Sequence, residues 1–140
     1  MEEKVYFKKI YFLLLLGGLL VAADFFVVHF VFAPTSWGAW WSANVFHLLG
    51  GFYAFFFIRA VFAYTRSLHK TSAESWMESL IFILGAVFLG VMWEWFELAI
   101  DRYHALVQSR QSVMSYADNI GDLATDTLGA LLAAFYTRRR

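Results

Sequence analysis

The sequence predicts an all-α integral membrane protein with four transmembrane helices. Of its 140 residues, 61% are hydrophobic and 21% are aromatic, against 16% charged, a balance far from that of soluble domains. Four segments are apolar over the roughly 17 to 25 residues that a membrane-spanning helix requires. Helices are favoured because an open strand would leave backbone groups unpaired in lipid. We expect one transmembrane domain, with helices at about residues 10–32, 39–63, 80–100 and 120–137.

Each segment has its own local signals. The first contains Asp24 and is too long for the apolar part of a signal peptide, so we interpret it as a retained helix. Pro34, the single proline, then predicts a tight antiparallel hairpin with the second segment. A polar stretch, TRSLHKTSAESWMES, separates the second and third segments. We interpret Asp118 as the N-cap of the fourth.

The basic residues predict the orientation of the chain. Lys and Arg number 11, as do Asp and Glu, so the basic surplus typical of nucleic-acid binding is absent. All but Arg102 and Arg110 fall near the N-terminus, around the second connection, or at the C-terminus. Because cytoplasmic segments carry the Lys/Arg excess, we expect a multi-pass protein with both termini in the cytoplasm.

Polar side chains recur at a similar depth in the outer half of the predicted helices. Glu94 and Glu97 are three residues apart, and Asp122 and Asp126 are four apart, so each pair shares one helix face. His47 lies among apolar residues at the same level of the second segment. The small residues predicted to let helices approach closely are Gly50, Gly51, Gly121 and Gly129.

Several ionised carboxylates cannot be buried together without compensation. Shared protons, basic counter-charges or a bound cation would supply it. The candidate metal ligands are His47, Glu94, Glu97, Asp122 and Asp126. Carboxylates suit Mg²⁺, Mn²⁺ or Ca²⁺, and an added imidazole suits Zn²⁺ or iron. Glu97 and His47 are the candidate general bases, should the site be catalytic.

The motifs also resemble a known family. The run Asp118-x-x-x-Asp122-x-x-x-Asp126-Thr127-x-Gly129-Ala130, preceded by Glu94-x-x-Glu97 and by a helix reading HLLGG, is similar to the YjdF-like small inner-membrane proteins of bacteria. That group resembles the VanZ-like proteins, whose late motif aligns with Asp122, Asp126 and Gly129. The chain departs from the family pattern at Ala43, where an aspartate is usual, and at Asp126, where VanZ-like proteins have asparagine. The resemblance implies a bacterial inner-membrane protein of the cell envelope and supplies no reaction.

Three functions stay open at this stage. The first is an outer-leaflet acidic/His site that binds a divalent cation and acts on or senses an envelope lipid headgroup. The second is a proton or cation relay, which would require a homo-oligomer because four helices are few for a carrier. The third is an accessory protein whose buried carboxylates only fix helix packing. Membrane lipids are the expected partners in each case.

Overall fold

The computed structural model describes residues 2–31, 37–69, 76–107 and 115–138. These residues are helical throughout, apart from Ser115, so the all-α prediction is confirmed. A five-residue π-helical segment, Val27–Val31, follows the first helix. The four α-helices are α1 (Glu2–Phe26), α2 (Trp37–His69), α3 (Trp76–Val107) and α4 (Tyr116–Arg138).

Three of the four helices are long and apolar enough to cross a membrane: Val5–Phe26, Trp37–Arg66 and Trp76–Val107. In α2 and α3 the helix extends beyond the predicted span at both ends. The fourth helix is different, because it is not clearly apolar. Its first half carries three aspartates, and its last turn ends in Thr137 and Arg138. Its buried side is formed by Asp122, Asp126, Gly129, Ala130, Ala133 and Ala134.

Neighbouring helices along the chain pack antiparallel. Near the start of α1, the ring of Phe7 meets that of Tyr64 late in α2, at a centroid distance of 6.2 Å. On α3, Glu78 pairs with Arg66 at one end of the bundle, and Glu94 approaches His47 at the other. Helices α1 and α2 are therefore antiparallel, as the predicted hairpin requires. Pro34, which carried that prediction, lies outside the described residues.

The closest packing in the bundle joins α2 to α4, which run parallel. A Cβ added at Gly51 would collide with the backbone carbonyl of Asp126, and one added at Gly129 would collide with that of Leu48. Only glycine lets the two backbones come so near. Gly51 and Gly129 therefore lie where the backbones of α2 and α4 meet. Gly121, which the sequence also indicated for close helix packing, does not lie in this contact, because a Cβ there would meet nothing within 4 Å.

An apolar core fills the bundle on one side of this contact. Phe55 of α2 is 1% exposed and packs edge-to-face against Phe82 of α3, with ring centroids 5.6 Å apart. Alanines of α4 close the cluster, and the buried members besides these rings are Ala54, Ala86, Ala130, Ala133 and Ala134. The polar residues of the site lie beyond this core, toward the ends where α2 and α4 begin.

Candidate functional site: a buried histidine among carboxylates

Three helices place five titratable side chains together. His47 comes from α2, Glu94 and Glu97 from α3, and Asp122 and Asp126 from α4. We call these five residues the acidic/His cluster. All are buried except Glu97, whose side chain is 30% exposed. These are the five residues that the sequence indicated as metal ligands, and the structure brings all of them to one place.

His47 is the centre of the cluster, with carboxylates on both sides of its ring. Its Nδ1 lies 3.3 Å from Asp126 Oδ2, within hydrogen-bond distance, and 3.7 Å from Glu94 Oε1. Its Nε2 lies 3.8 Å from Asp122 Oδ2 and 3.9 Å from Glu97 Oε2. In the tautomer with its proton on Nδ1, the ring donates to Asp126, and Nε2 then faces Asp122 and Glu97.

Glu94 is the most deeply buried member, at 2% exposure. Within the described ranges, neither of its carboxylate oxygens has a hydrogen-bond partner. A buried carboxylate without such partners costs several kcal/mol unless something compensates it. Its nearest basic atom, His47 Nδ1, is already engaged by Asp126. Glu94 therefore points to an interaction that the side chains of the cluster do not supply.

Glycines shape the cavity around Asp126. A Cβ added at Gly90 of α3 would lie 2.6 Å from Asp126 Oδ2, and one at Gly50 of α2 would lie 3.5 Å from Asp126 Oδ1. The close approach at Gly51 brings the Asp126 backbone against α2 as well. Asp126 is consequently held between two helices, with its carboxylate directed at His47.

The charge of the cluster is unbalanced. Four carboxylates surround one imidazole, so even a protonated His47 offsets only one negative charge. Asp24 of α1 lies near the same place, since it lines a cavity together with His47 and Asp126. A site with this surplus of negative charge either retains protons or binds a cation.

Two other polar residues have local roles. Asn44 donates from its amide to the carbonyl of Trp40 on its own helix, at 2.9 Å. The prediction that Asp118 is the N-cap of α4 is wrong, because the N-cap is Ser115. The Ser115 hydroxyl and backbone N–H both donate to Asp118 Oδ2, at 2.6 and 3.2 Å, and the Asp118 N–H donates back to Ser115 Oγ at 3.2 Å. This reciprocal arrangement is a capping box, with the acid three residues inside the helix.

Tyr53 is a residue that sequence patterns did not indicate. Its hydroxyl donates to the backbone carbonyl of Leu13 at 2.8 Å and so ties α1 to α2. The signal was present only as a tyrosine in a run of phenylalanines, because the polar end of a buried tyrosine usually has a partner.

Comparison with known proteins identifies the family. The chain belongs to the family described as "Predicted membrane protein (DUF2238)", which matches residues 2–140. YjdF-like proteins are members of it, so the predicted resemblance is confirmed as far as a membrane-protein family. No curated protein and no solved structure matches the chain significantly.

Proposed function

We propose that the acidic/His cluster is an intramembrane site for a divalent transition metal, Zn²⁺ or Mn²⁺. The ion serves to bind, and to act on or sense, the phosphate headgroup of an envelope lipid. His47, Glu94 and Glu97 are the ligands, since ligand atoms of these three residues lie within 4.8 Å of one another. Asp122 lies beside them, and Asp126 orients the histidine.

Glu94 is the observation that carries this proposal. An acidic cluster alone is common without a metal, but a carboxylate buried to 98% with two unpartnered oxygens is not. A cation between Glu94, Glu97 and His47 would satisfy those oxygens and offset the surplus negative charge in one step. Proton sharing would relieve the charge but leave most of the hydrogen-bonding capacity of Glu94 unused.

The spacing of the cluster also suits a metal. Two ligands of one ion lie at most about 4 to 5 Å apart, twice a bond of 2.0–2.6 Å. The distance from His47 Nε2 to Glu97 Oε2, 3.9 Å, falls within that limit, and the separations among ligand atoms of His47, Glu94 and Glu97 are all at most 4.8 Å. A metal-bound histidine usually donates its second N–H to a carboxylate, as His47 Nδ1 does to Asp126.

The ligand types favour a transition metal. Mg²⁺ and Ca²⁺ prefer oxygen ligands alone, whereas one imidazole with carboxylates suits Zn²⁺ or Mn²⁺. Such an ion can polarise a phosphoryl oxygen and lower the pKa of a bound water. Glu97 is the most exposed member of the cluster, and because it is a ligand in this arrangement it is not free to act as general base. His47 is assigned as ligand instead of base because Asp126 holds its ring.

The same proposal places the protein in a bacterial inner membrane, with α4 as a fourth span and both termini cytoplasmic. The strictly alternating helix directions and the buried side of α4 support four spans, and the Lys/Arg distribution supports the orientation. Exposed Trp37, Trp40 and Trp41 contact one another at the end nearest the site, as expected of an interfacial aromatic belt. His47 then lies about 9 to 15 Å below the belt at 1.5 Å per residue. The relation to VanZ-like proteins is part of the proposal.

A proton or cation relay is less well supported. It requires polar groups continuing past Asp126 toward the other end of the bundle. In the described part of the chain, the interior there is filled by Phe55, Phe82 and alanines. The remaining alternative is that the cluster only fixes helix packing, and the experiment must distinguish this role from metal binding.

The test is metal content by elemental mass spectrometry on protein purified in detergent and incubated with Zn²⁺ or Mn²⁺. Wild type is compared with Glu94→Gln, which keeps size and removes charge. Glu78→Gln is the matched control, because Glu78 lies on the same helix with one buried unpartnered oxygen but faces Arg66 at the other end. We expect one equivalent of metal in wild type and in Glu78→Gln, and a large loss in Glu94→Gln.

Folding is checked on the same samples by circular dichroism and gel filtration. A folded wild-type protein that binds neither metal would refute the proposal. Equal metal content in Glu94→Gln and wild type would show that Glu94 is not a ligand and that the metal binds elsewhere. If Glu94→Gln instead unfolds while wild type is metal-free, the packing role is correct.

A further inference from the structure

A cavity of about 320 Å³ adjoins the acidic/His cluster along the side of the bundle. Its walls come from α1 and α3, and α2 forms its floor. Most of the lining is apolar or glycine, and three polar groups, Asp24, His47 and Asp126, lie where the cavity meets the cluster. We call this cavity the lateral groove.

The groove exists because α1 packs along α2 and stays apart from α3. In the described part of the chain, the α1 backbone does not come close to that of α3 or α4. Tyr53 of α2 holds α1 in place, since its ring packs against Gly17 and its hydroxyl donates to the backbone carbonyl of Leu13. At Gly18 an added Cβ would meet nothing within 4 Å.

The groove is open sideways, toward the membrane. Leu14 and Leu89 line it from opposite walls, and both are exposed, at 51% and 38%. A molecule can therefore enter from within the bilayer without crossing the aqueous interface. Inside a bilayer the abundant molecules of suitable polarity are lipid chains.

We propose that the lateral groove holds one acyl chain of a phospholipid whose phosphate binds the metal at the acidic/His cluster. The assignment rests on the proposed function, because four carboxylates would repel a phosphate unless a cation lies between them. The apolar lining fits a hydrocarbon chain, the polar end adjoins the proposed metal, and the volume is at the lower end of known ligand cavities, about 300 to 1,000 Å³. A groove that is apolar at one end and polar at the other fits an amphiphile better than a wholly apolar guest.

The experiment is photo-crosslinking in nanodiscs with a phosphatidic acid that carries a diazirine in the middle of one acyl chain. The wild-type protein is loaded with Zn²⁺ or Mn²⁺, and labelled peptides are identified by mass spectrometry. We expect labels on the segments of α1, α2 and α3 that line the groove.

Gly18→Phe fills the groove and should reduce this labelling about tenfold, as expected for steric exclusion from an apolar pocket. Leu19→Phe is the matched control: it adds the same ring one residue away, at a position that is 67% exposed and outside the groove lining. Leu89→Trp narrows the groove from the α3 wall and replaces Gly18→Phe in the test if that variant fails to fold. Neither Gly18 nor Leu89 belongs to the cluster, so the metal content of these variants should stay at the wild-type value.

The outcomes separate this inference from the proposed function. Wild type that binds metal but shows no label in the groove, or equal labelling of Gly18→Phe and Leu19→Phe, overturns the groove assignment and leaves the metal site standing. Groove labelling that persists after metal removal overturns the placement of the phosphate on the metal. If a polyprenyl phosphate displaces the probe and added phospholipid does not, the choice of a phospholipid is wrong.

Discussion

Gly51 and Gly121 provide a sharp test of the packing that positions the acidic/His cluster. Both are helical glycines, so replacement by alanine should gain up to about 1 kcal/mol of helix propensity at either position. At Gly121 the added methyl group would meet open space. At Gly51 it would collide with the Asp126 carbonyl and come within 2.6 Å of the carbonyl carbon.

The collision at Gly51 involves backbone, which cannot rotate out of the way as a side chain can. Overpacking of this kind typically costs about 1 to 3 kcal/mol, and a backbone contact belongs in the upper part of that range. Subtracting the propensity gain leaves a net loss of about 1 to 2 kcal/mol for Gly51→Ala. Gly121→Ala should be neutral or more stable by up to about 1 kcal/mol.

The measurement is thermal stability of both variants in the same detergent, followed by gel filtration of the heated samples. We expect the transition of Gly51→Ala to fall by several degrees and that of Gly121→Ala to stay level or rise. The collision also displaces Asp126, so Gly51→Ala should lose metal affinity while Gly121→Ala retains it. Equal stability of the two variants would show that α2 and α4 are not in close contact at Gly51, and the described cluster would then be wrong.

Two further predictions follow from named contacts. Metal affinity should fall as the pH is lowered, by about tenfold per pH unit for each proton that binding releases, because imidazole and carboxylate ligands bind a metal only when deprotonated. Isothermal titration calorimetry with Zn²⁺ from pH 8 to pH 6 measures this dependence. An affinity that does not change with pH contradicts a site made of His47, Glu94 and Glu97. Tyr53→Phe removes the hydrogen bond to Leu13 and should cost about 0.6 to 1.7 kcal/mol, with faster hydrogen exchange in α1 and no change in metal content. Unchanged exchange in α1 would mean that apolar packing alone holds that helix.

Much of the composition of the acidic/His cluster can be predicted from rules that apply within a single helix. The spacing of Glu94 and Glu97, and of Asp122 and Asp126, fixes a shared face whatever the neighbours do. Counting residues from the polar connections gives their depth at 1.5 Å per residue. These two rules are enough to indicate that His47 and the four carboxylates lie at one level of the bundle.

What the sequence leaves undetermined depends on helix rotation and boundaries. Gly121 and Gly129 lie on the same side of α4, yet only Gly129 touches a neighbouring backbone, because contact depends on where the helices cross. The sequence predicts Asp118 as the N-cap, but α4 begins at Tyr116 and the cap is Ser115. A shift of less than one turn thus changed the role of an aspartate, and helix ends are often uncertain by that amount.

The position of the cluster determines how a ligand reaches it. Beyond Asp126 the apolar core around Phe55 fills the described interior, which favours no aqueous path along the bundle axis. The lateral groove instead meets the cluster from the side, where α1 and α3 stand apart. Under the proposed function, an ion would arrive from the nearby interface past Glu97, the one partly exposed member of the cluster, whereas a hydrocarbon chain would arrive from the bilayer. Two routes meeting at one histidine suit a molecule with a charged head and an apolar tail, and they do not suit a freely diffusing solute.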